Sequence, residues 1–204
     1  MSVWVPKVNP SYHRFTFCFC SPNPASSSAV KTSSSVKPKD VAYLSVVGCL
    51  GQDTGEAVLK AMLAVGHRIP KRGILLSTGS ARHKAAMLTS AQLLHKHGYT
   101  IYATRGTHAF LSENGIPAVR VYMPSQPEMH PQALDLLHSK DIDLVVNIPK
   151  NLTPTELSDG YKVRRASIDL NIPLLTNPRL AEAFISAFTS LKPGEIEIKS
   201  WDEY

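Results

Sequence analysis

Regular alternation of apolar and polar positions starts only near residue 41. Before that point the serine runs Ser26-Ser27-Ser28 and Ser33-Ser34-Ser35, and the prolines at positions 6, 10, 22, 24 and 38, interrupt any period. Such a stretch buries too little apolar surface to offset chain entropy, so residues 1–39 are expected to lack fixed structure. Ala42–Val47 then has strand character, ending at Gly48. Asp53 followed by Glu56 is a capping-box pattern, and Val58, Leu59, Met62, Leu63 and Val65 recur at helical spacing until Gly66 closes the helix. A basic link, His67–Gly73, carries a stop at Pro70. From there strand and helix alternate. The strands are Ile74–Ser77, Tyr99–Ala103, Ala118–Tyr122, Ile142–Asn147 and Pro173–Thr176, with a terminal edge strand at Ile196-Glu197-Ile198. The helices are Ser80–His97, closed by Gly98, Thr107–Asn114, ending at Gly115, then His130–Ser139, Asp159–Leu170 and Ala181–Leu191. This order predicts an α/β fold, a parallel β-sheet with helices on both faces in a Rossmann-like three-layer arrangement.

A length of 204 residues suits one such domain plus an appendage. No run approaches the roughly 20 apolar residues of a membrane span. Cys18, Cys20 and Cys49 are odd in number and lack the second ligand pair of a zinc site, so neither a disulfide framework nor a metal is expected. A reducing, cytoplasmic setting fits. Most of the net charge of +6 sits in the tail: Lys7, Arg14, Lys31, Lys37 and Lys39 face no acid within residues 1–39, which leaves +1 for the remainder. The folded part therefore has no basic footprint for nucleic acid. The acid-free, serine-rich tail also fits an organelle transit peptide. Its sparse arginine favours a plastid over a mitochondrion as that alternative.

In open parallel sheets, ligands bind beyond the carboxyl ends of the strands. The residues there are Ser77-Thr78-Gly79-Ser80 with Lys84 one turn on, Thr104-Arg105-Gly106-Thr107, Asn147-Ile148-Pro149-Lys150-Asn151, and Thr176-Asn177. The second group is the most informative. A strand running into Thr-x-Gly-Thr at a helix start cradles an anion: the glycine turns tightly, the hydroxyls donate and the free helix amides point at the charge. Lys84 and Lys150 add charge from neighbouring loops. The plain reading makes Thr107 an N-cap and Gly106 a turn residue. His95 and His97 sit where a helix C-terminus favours cations. Arg164 and Arg165 read either as a solvated helix face or as partners of a sheet-edge acid. There is no phosphate-binding glycine loop of the P-loop or G-x-G-x-x-G type.

Tyr102-Ala103-Thr104-Arg105-Gly106-Thr107, followed by Asn114-Gly115-Ile116-Pro117, resembles the methylglyoxal-synthase-like domain. The block Ile142–Pro149, with Tyr161–Ala166, Asn171–Asn177 and Met123–Gln126, is similar more narrowly to the C-terminal allosteric domain of the large chain of carbamoyl-phosphate synthetase. Upstream, Gly48–Asp53, Glu56–Met62 and Ile69-Pro70-Lys71 resemble the end of the second ATP-grasp half of that synthetase and its linker. The resemblance divides the chain into a tail or transit-like segment (1–40), an ATP-grasp remnant with linker (41–72), and a methylglyoxal-synthase-like effector-binding domain (73–204). The ATP-binding machinery of the family is not in these residues. The resemblance implies a regulatory domain in arginine or pyrimidine biosynthesis, without catalytic residues or cofactor. Matched motif to motif, Thr104, Thr107, Asn147 and Lys84 correspond to the family's effector contacts, and with Arg105, Gly106 and Lys150 from the same strand-end segments they make up the candidate effector site. Lys150 and Met123 stand where an acetylglutamate binder carries asparagine and tryptophan. That ranks a UMP- or IMP-like phosphorylated nucleotide above N-acetylglutamate.

The alternative is a methylglyoxal synthase acting on dihydroxyacetone phosphate. That reaction needs an aspartate after a Gly-Gly pair and a histidine in the loop after the fourth strand. Here the segment reads Pro124-Ser125-Gln126-Pro127-Glu128-Met129-His130, and no histidine lies beyond His138. The apolar stripe of the 53–65 helix is expected to outrun what its own domain can cover, and would bury against the body, a second copy or a separate synthetase ATP-grasp chain, exposed patches of that kind marking an interface.

Overall fold

The computed structural model describes residues 13–18, 46–149, 154–191 and 196. Along them run β1 (His13–Cys18), β2 (Val46–Gly51), α1 (Thr54–Ala64), β3 (Gly73–Thr78), α2 (Ala81–Ala86), α3 (Leu88–Lys96), β4 (Thr100–Thr104), α4 (Arg105–Glu113), β5 (Val119–Val121), α5 (Ala133–His138), β6 (Ile142–Ile148), α6 (Pro154–Asp169), β7 (Leu174–Leu175) and α7 (Pro178–Ser190). Strands β5-β4-β3-β6-β7 form one five-stranded sheet, and every pair in it is parallel. The order reverses direction between β3 and β6, which opens a crevice at their carboxyl ends.

Helices cover both faces, as the alternating pattern requires. On one side Ile74, Leu76, Ile101, Ala103, Leu144 and Val146 of the sheet pack with α1, α3, α4 and α7. On the other, Leu75, Val121, Ile142 and Val145 pack with Ala133 and Leu137 of α5 and Val163 of α6. Adjacent residues of β3 thus serve opposite cores, as strand periodicity dictates. Gly66, Gly98 and Gly115 end α1, α3 and α4 with φ of 88°, 80° and 72°, a conformation that glycine adopts without a side-chain penalty.

The capping signal before α1 is realised with a small shift. Asp53 Oδ1 accepts the Glu56 amide at 2.8 Å, while Glu56 Oε2 reaches back to the amide of Gln52 at 2.6 Å. The expected exposed stripe on this helix is corrected. Val58, Leu59 and Met62 are 2%, 0% and 1% exposed and belong to the main core, and Leu63 packs against it. Helix α1 closes over α7, so its apolar face is covered by its own chain and gives no reason for a partner.

Several boundaries differ from expectation. Within the tail, His13–Cys18 forms a strand antiparallel to β2, pairing His13 with Gly51 through Cys18 with Val46. The alternation Phe15, Thr16, Phe17 is the local signal that serine and proline counts obscure. Strand β2 starts at Val46 and runs on to Gly51; positions 42–45 lie outside the described residues. The 80–97 helix divides at Met87, whose ψ is −2°. Its first part buries no residue, whereas the second buries Ser90, Ala91 and Leu94, so only the second is held against the sheet. The helix expected over 130–139 shrinks to α5. Tyr122 donates its amide to Pro131 O and accepts from the Ala133 amide, and backbone paired in this way cannot also be helical. Helices α6 and α7 begin earlier, at Pro154 and Pro178, where proline at the first helical position costs no hydrogen bond. Of the expected terminal strand, Ile196 is described and packs against the core; 197 and 198 lie outside the described residues.

The link before β3 is tied to the sheet by Asp143, whose Oδ2 accepts the amides of Lys71 and Arg72 at 2.9 and 2.7 Å. Within that link, burial holds His67 below its ordinary value of 6.5. A folded-state value below the unfolded one means that the unfolded chain binds the extra proton first. Stability is therefore expected to fall as pH drops from about 6.5 through the folded value. Melting curves between pH 7.5 and 5 should show this slope, and His67→Gln should reduce it; an unchanged slope in the variant would refute the assignment.

Candidate functional site

Strand β4 leads straight into α4, so Thr104–Thr107 spans the helix start. Thr104 is the N-cap, with extended backbone and no side-chain hydrogen bond to the helix amides, and Arg105, Gly106 and Thr107 form the first turn. The helix begins two residues earlier than the apolar period suggests. An uncapped first turn directs free N–H groups, and a partial positive charge, at the carboxyl edge of the sheet.

Lys84 reaches this turn from α2. A Cβ added to Gly106 would meet the Lys84 Nζ at 3.1 Å, so the ammonium rests against a backbone that only glycine leaves uncovered. Among the described residues the ion pairs are Lys60–Glu56 and Arg165–Asp169, and Lys84 has no acid in range. A cation at a helix N-terminus is opposed by the helix dipole. An anion between them relieves both charges.

Thr107 has a different role from the one expected. It is 3% exposed. Its Oγ1 accepts the Thr78 amide at 3.0 Å, lies 3.0 Å from Thr78 Oγ1, and donates to Thr78 O at 3.3 Å. The hydroxyl thus pins α4 to the end of β3, and Thr107 offers a ligand only its amide. Thr104 Oγ1 is looser, 3.5 Å from Ser77 Oγ. Arg105 is exposed at the rim.

Ser77 lies level with Asn147 across the β3–β6 ladder, so the fourth-strand candidate joins the same edge. Asn147 is 4% exposed, and its Oδ1 accepts from Arg164 Nη1 at 2.9 Å. Arg164, for which the sequence predicts a solvated face or an acidic partner, is instead the partner of a sheet-end amide. Gly160 makes room for it, since a Cβ there would stand 2.7 Å from Nη1. Beside them, buried Asp159 accepts from Ser125 Oγ at 2.5 Å. Arg165 is the solvated one, paired with Asp169 at 2.9 Å on the outer face. Lys150 lies outside the described residues. Asn177, after β7, caps α7 by accepting the amides of Arg179 and Leu180, and so stays structural. Met123 packs partly buried against the second core.

The edge thus gathers Lys84, Thr104, the first turn of α4, Ser77, Asn147 and Arg164. These groups suit holding an anion. Nucleophilic chemistry gains nothing from Cys49, whose thiol is pushed up mainly by burial, against a smaller pull from Lys60. No group of three or more possible metal-ligating side chains occurs among the described residues. None of their helices is long and apolar enough to cross a membrane.

Residues 86–176 match the family model of the MGS-like domain. The chain is 35% identical over 168 residues to the mitochondrial carbamoyl-phosphate synthase [ammonia] of Homo sapiens, covering 81% of this chain and 11% of that protein. It is 36% identical over 154 residues to Multifunctional protein ura1 of Schizosaccharomyces pombe, covering 72% of this chain and 7% of the relative. Over 154 residues it is likewise 36% identical to Multifunctional protein CAD of Squalus acanthias, covering 69% of this chain and 7% of that protein. The chain thus spans about a tenth or less of the length of these relatives. A methylglyoxal synthase structure from Elizabethkingia anophelis aligns with TM-score 0.45 and 20% identity, covering 66% of this chain and 89% of that one.

Proposed function

We propose that this chain, which carries an MGS-like domain, serves as the effector-binding, regulatory domain of a carbamoyl-phosphate synthetase large chain. It takes a phosphorylated, nucleotide-type small molecule at the carboxyl edge between α4 and β6 and performs no chemistry alone. The observation that carries this reading is Lys84 set against the Gly106 backbone at an uncapped helix start, with no acid in ion-pair range among the described residues. A phosphate there accepts from the first-turn amides and from Thr104 and is neutralised by Lys84, in the manner of helix-terminus anion sites generally. Asn147 orients the remainder of the ligand. The similarity to synthetases and multifunctional proteins supports association with a synthetase ATP-grasp chain, supplied from elsewhere in a longer assembly. That association needs a surface other than the apolar face of α1, which the core occupies.

The lack of histidine beyond His138 and the absence of a Gly-Gly-Asp segment weigh against proton abstraction from dihydroxyacetone phosphate. Calorimetric titration with UMP, IMP and N-acetylglutamate tests the proposal. Heat is expected with a nucleotide and less or none with acetylglutamate. Absence of heat or thermal shift with all three at millimolar concentration would overturn the reading, as would robust turnover of dihydroxyacetone phosphate.

A further inference from the structure

We infer that Arg164 holds the Asn147 side chain with its NH2 group turned to the carboxyl edge, so that Asn147 offers a ligand a hydrogen-bond donor and selects ligands with an acceptor at that point. The inference rests on the reading of that edge as an effector site and adds a selection rule to it.

The orientation follows from chemistry rather than from the appearance of the amide. A guanidinium has five N–H donors and no acceptor, so the Asn147 atom 2.9 Å from Arg164 Nη1 must be the carbonyl oxygen. With Oδ1 committed toward α6, the planar amide turns Nδ2 the other way. Among the described residues nothing accepts from Nδ2. It is also not among the sealed, unpartnered polar atoms, which are His83 Nδ1 and Arg120 Nε. Toward the described residues Nδ2 thus stands without an acceptor, and Asn147 sits level with Ser77 in the ladder. The neighbouring groups agree in sign: an ammonium from Lys84, first-turn amides of α4 and the Thr104 hydroxyl. A ligand group that is itself a donor meets no acceptor at Nδ2 and leaves a buried polar contact unmade, which is the strongest basis for rejection.

Gly160 is the enabling residue. Its missing side chain is the space in which the Arg164 guanidinium lies, with Nη1 2.7 Å and Cζ 3.4 Å from a Cβ placed there. Glycine inside a helix costs about 0.5–1 kcal/mol relative to alanine. A side chain at 160 therefore strengthens the helix while displacing the arginine.

The test combines side-chain amide spectra of Asn147, obtained by 15N NMR, with titration by UMP and by inorganic phosphate. Wild type is expected to show one defined Asn147 NH2 pair. Arg164→Leu and Gly160→Ala are expected to move that pair towards the shifts of a free asparagine amide and to weaken UMP binding about fivefold to tenfold, while Gly160→Ala keeps or raises the melting temperature. Arg164→Lys, which retains a donor, should recover most of the affinity. Asn147→Asp keeps the Arg164 contact but turns an acceptor to the edge, and should lose about tenfold or more. Asn147→Asp binding UMP like wild type, or Gly160→Ala leaving spectra and affinity unchanged, would overturn the inference. If wild type binds neither probe, the effector reading and the selection rule fall together. The amide spectra then still decide whether Arg164 fixes Asn147.

Discussion

Lys84→Ala is expected to weaken binding of a phosphorylated ligand by about tenfold or more, at no cost in thermal stability, whereas Thr107→Ala is expected to act mainly on stability. Lys84 is half-buried, without an acid in range among the described residues, and set at the positive end of α4. Removing it from the free protein removes an unfavourable charge–dipole contact. With a phosphate bound, it removes a charge-assisted hydrogen bond of about 1.5–3 kcal/mol. Thr107 is the opposite case, because its hydroxyl is consumed by Thr78. Alanine there strands the buried Thr78 amide at a cost of about 1–3 kcal/mol. Parallel titration and melting of the two variants checks this. A binding loss in Thr107→Ala larger than in Lys84→Ala, at unchanged melting temperature, would place the phosphate on the threonine.

Leu59→Ala is expected to cost about 2–5 kcal/mol, the range for a fully buried leucine whose surroundings relax only in part. Leu59 is 0% exposed, and its neighbours in the main core include Phe184, Ile185 and Phe188 of α7. The ring of Phe188 stands edge-on to Phe184 at 5.1 Å and to Tyr99 at 5.7 Å, so a gap under α1 disturbs an aromatic cluster as well. Denaturant unfolding of the variant measures the cost. The same packing predicts that a chain beginning at residue 73 lacks a cooperative transition, since α7 then exposes its apolar face. A chain 73–204 that unfolds cooperatively with wild-type stability would make residues 41–72 separable from the domain and overturn this prediction.

What the sequence by itself determined is whatever depends on neighbours within a turn or on simple periodicity. The order of strands and helices, the glycine ends at 66, 98 and 115, the capping pair Asp53 and Glu56, and the parallel sheet follow from such signals. The convergence of Lys84, Thr104 and Asn147 on one edge follows too, because right-handed strand–helix–strand crossovers put every strand's carboxyl end on the same side. Tertiary structure decided the rest, through partners far along the chain. Thr107 gives its hydroxyl to Thr78, 29 positions away, and Asn147 gives its oxygen to Arg164, 17 positions away. Backbone 131–133 pairs with Tyr122 instead of continuing a helix, and the stripe of α1 finds α7 more than a hundred residues on. A hydrogen-bonding group has the same composition and period whether its partner is water, ligand or a distant side chain. Only the packed chain, which brings one of these within 3 Å and excludes the others, determines which it is.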